Sequence, residues 1–342
     1  MITGLVTAYP KLLKRLPNTN VVVRTDAPAE RKVGIVSGGG SGHEPAHAGY
    51  VGKGMLDAAV VGEVFTSPTP DQVLEAIKAV DSGKGVLLVI KNYTGDVMNF
   101  EMAKEMAEME GIQVDQVIVN DDVAVEDSTF TIGRRGIAGT VFVHKIAGAL
   151  AENGASLEEV KSIAEKTIAN VRSMGVALSA CTVPAASKPS FTLAENEMEI
   201  GIGIHGEPGI ERVPLKPADQ ITEILVNKIL SDIDYERSEV AVMINGLGAT
   251  PEMELHIVYR KLSELLGNKE IKIFQTWVGE YMTSLEMAGF SITLLKLDQE
   301  LKNLLTRKVK NDSISRLIGG YYDHFNSRSS SRMDERNTKT NG

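Results

Sequence analysis

Apolar positions along the chain gather in short runs, separated by amphipathic stretches. "KVGIVS" (32–37), "GVLLVI" (85–90) and "VDQVIVN" (114–120) are each bounded by turn residues, so each predicts a strand. Between the last two, "DVMNFEMAKEMAEMEG" (96–111) predicts a helix that Gly111 stops, and its methionines are expected to fill the core. "SLEEVKSIAEKTIANV" opens with Ser156 and Glu159 at capping-box spacing. Strands and helices alternating in this way predict an α/β domain with a largely parallel sheet, assigned to residues 1–172.

The pattern changes near residues 175–190. "GVALSACTVPAASKPSF" has small residues, two prolines and no helical period, and reads as a domain crossing. Within "EMEIGIGIHGEPG" (197–209), Ile200, Ile202 and Ile204 then alternate with Glu199, Gly201 and Gly203, a strand period that predicts a strand ending at His205. A helix is expected at about 219–231, a strand at 239–246, and a helix that Thr250 caps and Pro251 opens. Strands at 271–275 and 290–297 complete a second, smaller α/β domain, assigned to residues 173–310. The polar residues 311–342 are expected to form a disordered tail.

Composition narrows the function classes. An apolar content of 43% and a charged content of 24% are ordinary for a soluble globular protein. The net charge of -9 argues against nucleic acid or a membrane surface as the main partner. Cys181 is the sole cysteine, so no internal disulfide and no thiolate zinc site is expected, and no metal site is assigned. Neither a signal peptide nor a membrane span is evident, which makes the cytoplasm the expected location.

Candidate chemistry sits at the predicted strand ends. "SGGGSGHEPAHAGY" (37–50) holds five glycines, a proline and two histidines. It has too few side chains for a core strand, so it reads as a loop whose bare N–H groups approach a ligand at the carboxyl end of a strand. The alternative is a plain tight turn. It does not match a nucleotide P-loop. "KNYTGDVMNFEMA" places Lys91 and Asp96 on either side of a turn, although Asp96 alone could be a simple helix cap. "GIHGEPG" places His205 between glycines, where a structural histidine is the plain alternative. Together the three segments supply N–H groups, a lysine, a carboxylate and histidines, a set suited to a small oxygen-rich molecule.

These motifs, with "GEVFTSPTPDQ", "NDDVAVED", "GRRGIAGTVFVHKIAGA", "EIGIGIHGEPGIER", "NGLGATPEMEL" and "YMTSLEMAGFSITLLKLD", resemble the dihydroxyacetone-binding K subunits of dihydroxyacetone kinases over about residues 3–305. Family members usually carry further residues before "GLV", and the segment after Leu305 does not look like family sequence.

The resemblance implies that His205 attacks the ketone carbon of dihydroxyacetone and holds it as a hemiaminal. That chemistry needs a carbonyl and so would reject glycerol, a distinction that contacts alone make poorly. It implies that Gly40, Ser41, Gly42 and His43 form the substrate loop, that His43 and Asp96 are an acid/base pair, and that Lys91 binds substrate. Glu44 and His47 are expected to fix the loop; His144, His256 and His324 are expected at the surface or in packing.

No cofactor is expected in this chain. The resemblance implies ADP or ATP with magnesium on a separate L subunit, recharged from phosphoenolpyruvate through a phosphotransferase-system M subunit, and a homodimer of K subunits. A non-catalytic, ligand-sensing paralogue acting as a transcriptional co-activator is the alternative. His43, Lys91 and Asp96 together favour the enzyme, because a sensor needs only the anchoring histidine.

Overall fold

The computed structural model describes residues 1–125 and 133–308. After α1 (Ile2–Ala8), the first half contributes β1 (Leu13–Arg15), β2 (Val21–Arg24), β3 (Gly34–Ser41), β4 (Ala58–Val64), α2 (Pro70–Val80), β5 (Val86–Lys91), α3 (Thr94–Met109), β6 (Val114–Val119), α4 (Thr140–Glu152) and α5 (Leu157–Asn170). The sheet order is β1-β2-β4-β3-β5-β6, with β4, β3, β5 and β6 mutually parallel. The chain steps from β3 to β4 on one side and then to β5 on the other. The sheet order therefore switches direction beside β3, and the carboxyl ends of β3 and β5 flank the crevice where open α/β sheets bind ligands.

The second half adds β7 (Val171–Ala177), the short pair β8 (Thr182–Val183) and β9 (Lys188–Pro189), β10 (Glu197–Ile200), β11 (Glu211–Pro214), α6 (Ala218–Leu230), β12 (Glu239–Gly246), α7 (Glu252–Asn268), β13 (Lys272–Gly279), β14 (Gly289–Leu297) and α8 (Gln299–Leu305). Its main sheet runs β11-β10-β7-β14-β12-β13, and only β12 and β13 pair in parallel.

Side-chain alternation along each sheet divides the core into layers. Leu87 and Val89 of β5 face α4 and α5, while Val86, Leu88 and Ile90 pack with Val73, Ile77 and Phe100 of α2 and α3. In β12, Ala241 and Met243 join the same central cluster as α4, α5 and α8, whereas Val240, Val242 and Ile244 pack against Leu225 of α6 and Leu255 of α7. The result is five layers, α/β/α/β/α, in which both sheets bury one face against shared middle helices. Each fully buried Leu, Ile or Val contributes roughly 1.5–3 kcal/mol, so the central layer holds the two sheets in a fixed relation.

Several local expectations are corrected. The glycine-rich run is not all loop: β3 continues through Gly38, Gly39 and Gly40 to Ser41, paired with β4. Missing side chains favour this strand, because neighbouring atoms occupy the space that Cβ atoms would need. The strand expected to end at His205 ends instead at Ile200, where Gly201 turns the chain with φ +78°. Ile202 and Ile204 are buried from a loop.

Asp96 does not cap α3. Tyr93 holds that position and Asp96 lies in the first turn. Met98, Met102 and Met109 of α3 are exposed rather than core, because Phe100, Ala103 and Ala107 form the buried stripe. Thr250 does not cap α7. Its hydroxyl pairs with the backbone of Gly289, and Pro251 is the N-cap. The capping box of Ser156 and Glu159 is present. The assigned tail, 311–342, lies outside the described residues. Among the described residues no helix is long and apolar enough to cross a membrane.

Candidate functional site

Lys91 ends β5 and is buried, with 1% of its side chain exposed. Its Nζ donates to His47 Nε2 at 2.8 Å and to the Gly38 carbonyl at 3.4 Å, and lies 3.8 Å from Asp96 Oδ2. A Cβ on Gly39 would fall 2.7 Å from that Nζ and 3.6 Å from both Asp96 Oδ2 and His47 Nε2, so three functional groups converge on bare backbone. Burial lowers the proton affinity of Lys91 against the pull of Asp96.

The tautomer of His47 follows from its neighbours. Ser37 Oγ donates to the Val89 carbonyl at 2.6 Å, so it can only accept from His47 Nδ1, 3.3 Å away. Nε2 is then free to accept from Lys91. His47 is held well below the ordinary histidine range by burial and by the Lys91 charge. The edge-on ring of His144, 5.2 Å away, packs against it. His144 itself is fully buried, and burial and Lys91 push it down to about 3.

The loop after β3 is stitched to the loop between β13 and β14. Gly42 N–H donates to the Glu44 carboxylate at 3.1 and 3.2 Å, Leu285 N–H to Gly42 O at 2.8 Å, and Thr283 Oγ1 to Glu44 O at 2.9 Å. His43 Nδ1 donates to the Thr283 carbonyl at 2.8 Å. This leaves Nε2 as a buried acceptor that has no hydrogen-bond partner. Burial, then the charges of His205 and Lys91, hold His43 well below the ordinary histidine value, so it is neutral near pH 7.

His205 lies on the loop between β10 and β11, with 19% of its side chain exposed. Glu207 accepts from His205 Nδ1 at 2.6 Å and from its backbone N–H at 2.9 Å. Burial works to raise the Glu207 carboxyl, but His205 and Arg135 outweigh it and hold it at about 2. In neutral His205 this contact places the lone pair on Nε2. Three rings wall the imidazole edge-on: His43 at 4.7 Å, Phe65 at 5.1 Å and Tyr93 at 4.6 Å between centroids. Arg135, fully buried, pairs with Asp122 at 2.7 Å and donates to the carbonyls of Gly201 and Pro208, fixing both ends of the loop.

Residues 3–313 match the Dak1 domain model. The chain belongs to the Dak1 family. A relative from Listeria innocua serovar 6a, named as the dihydroxyacetone-binding subunit of a PTS-dependent dihydroxyacetone kinase, is 57% identical over 301 residues, covering 88% of this chain and 91% of that one. Among solved structures, a dihydroxyacetone kinase operon co-activator is similar with TM-score 0.86 and 37% identity, covering 93% of this chain and 97% of that one. The dihydroxyacetone kinase of C. freundii in complex with AMP-PNP and Mg2+ is similar with TM-score 0.84 and 41% identity, covering 90% of this chain and 57% of the other.

The Dak1 domain thus brings together Gly40 and Lys91 from the first sheet, Gly42 and His43 from the loop after β3, Asp96 from the first turn of α3, and His205 from a loop of the second sheet. Ser41 stands at the end of β3 with its hydroxyl donating to the Gly62 carbonyl at 2.7 Å. His256 is exposed on α7, and His324 lies outside the described residues.

Sequence reasoning missed Glu207, Arg135, Tyr93, Phe65 and Thr283. Glu207 had a readable signal, a carboxylate two residues after a histidine in a glycine-rich loop. Thr283 acts through a backbone carbonyl, which no side-chain pattern reports. Among the described residues no group of three His, Cys, Asp or Glu side chains is placed to hold a metal ion.

Proposed function

We propose that this chain is the dihydroxyacetone-binding subunit of a phosphotransferase-system-dependent dihydroxyacetone kinase, holding the ketone covalently on His205. One observation carries the reading. Among the described residues His43 Nε2 and the Tyr93 hydroxyl, on side chains whose rings meet His205 edge-on, and Asp96 Oδ1, beside Lys91, are all buried without a hydrogen-bond partner. Buried polar atoms left unpaired cost free energy, and a bound polyhydroxy ketone would pair them.

The steps balance within the chain. The His205 Nε2 lone pair bonds to the carbonyl carbon, and the carbonyl π pair moves to its oxygen. The Nδ1 proton leaves to Glu207 and is passed on to that oxygen, so a neutral hemiaminal results and Glu207 ends ionised. The Lys91 ammonium faces charge developing on substrate oxygens. The acid/base pair of His43 and Asp96 then takes the single proton of the terminal hydroxyl, which ends on His43 Nε2, as the hydroxyl oxygen bonds to phosphorus and the phosphorus–leaving-group bond breaks. A loose transition state asks little of the base, which suits a histidine of lowered proton affinity.

This reading includes a separate protein that holds the nucleotide and its magnesium, and a homodimer of this chain. The name of the Listeria relative, a dihydroxyacetone-binding subunit of a PTS-dependent kinase, supports a kinase of more than one subunit. The co-activator match supports a second reading, a ligand sensor, for which the anchor alone would suffice. The purified chain is to be mixed with a nucleotide-binding partner subunit, a phosphoryl source and dihydroxyacetone. Formation of dihydroxyacetone phosphate supports the kinase; adduct formation without product favours the sensor.

A further inference from the structure

Phe65 follows β4 in the left-handed region, with φ +56°, a conformation that bulky side chains rarely adopt. Such a residue persists only where its surroundings impose it, and such residues gather at functional sites. Its N–H donates to the Ser41 carbonyl at 3.0 Å, tying it to the end of β3. Its ring stacks on His43, with centroids 5.0 Å apart and planes within 18°, and meets His205 edge-on. Gly42 is shaped around it: with φ +103°, a Cβ there would fall 2.8 Å from Phe65 Cε1 and 3.2 Å from Leu285 Cδ2.

We propose that Phe65 is a positioning residue for His43: its ring seals the imidazole from water and keeps it edge-on to His205. The proposal rests on the reading of His43 as the proton acceptor given above. The polar groups that face His43 are His205, Lys91, His47, Glu207 and the Thr283 carbonyl. Burial is the largest cause of its lowered proton affinity, and Phe65 supplies an aromatic cover over one face of the ring.

The test follows the His43 imidazole by NMR pH titration in the free protein, beside turnover with a saturating partner subunit. In Phe65→Leu the His43 midpoint should rise toward about 6.5, by about one unit or more, as water reaches the ring. Turnover should fall by about tenfold or more, with its acidic limb shifted upward. Phe65→Tyr, which keeps the ring, should restore both the midpoint and the turnover. Should Phe65→Leu fail to fold, Phe65→Met keeps the volume and removes the ring. An unchanged His43 midpoint in a folded Leu or Met variant overturns the proposal. Absence of a dihydroxyacetone adduct in the parent would instead overturn the reading of His205, and the titration would still decide the role of Phe65.

Discussion

The Glu207 carboxylate accepts from His205 Nδ1 at 2.6 Å and from the His205 backbone N–H at 2.9 Å, so one buried side chain fixes both the ring and the loop that carries it. The contact is charge-assisted and removed from solvent, which makes it stronger than a neutral hydrogen bond.

Glu207→Gln keeps an acceptor but loses the charge that takes the Nδ1 proton. Affinity for dihydroxyacetone should fall by about 10- to 100-fold, the equivalent of a lost charged hydrogen bond. Calorimetry on parent and variant checks this, and equal affinities would remove Glu207 from the account.

Anchoring and transfer should separate. Asp96→Asn and His43→Asn each remove a proton acceptor while leaving His205 in place, so turnover should drop by at least about 10²-fold. The adduct should still form in both. Near-parent turnover in both variants would show that the assigned acid/base pair is wrong.

His47 should act through Lys91. His47→Leu removes the acceptor 2.8 Å from Nζ, whereas His47→Gln can still offer an oxygen. The Leu variant should lose about tenfold in kcat with a small change in KM for dihydroxyacetone, and the Gln variant should recover most of it. Equal loss in both variants would mean that His47 serves packing alone.

Much of this site was legible in sequence, because its groups stand at strand ends that periodicity locates well. "KVGIVS", "GVLLVI" and "VDQVIVN" recur as β3, β5 and β6. The glycine run was misread because its reason lies in its neighbours: Lys91 Nζ and the backbone of β4 fill the space beside Gly39 and Gly38. The Ile200–Ile204 alternation satisfied a strand period, yet Gly201 turns the chain and the buried isoleucines pack from a loop. The shared middle layer of α4, α5 and α8 was not readable either. Alternation marks a buried face and does not name what covers it.

Lys145 of α4 donates to the Leu304 carbonyl at 2.8 Å, and burial, then the Arg307 charge, push it down to about 7. Its unfolded value is about 10.4, so between pH 7 and 10 the unfolded chain binds more protons and stability rises with pH. Below pH 7 both states are protonated and the burial penalty is fully present. Lys145→Met should remove this slope and be more stable than the parent at pH 6.5 by about 1–3 kcal/mol. Urea unfolding of both proteins from pH 6.5 to 10 measures it, and parallel curves would contradict the assignment.

The central claim is a bond between His205 and the ketone carbon. Dihydroxyacetone labelled with carbon-13 at C2 reports that bond directly. With the parent protein the bound carbonyl resonance should be replaced by that of a tetrahedral carbon. With His205→Ala it should not, and glycerol should fail to compete for the parent site. A bound ligand that keeps its carbonyl resonance on the parent protein, or a tetrahedral signal that survives in His205→Ala, would contradict the account.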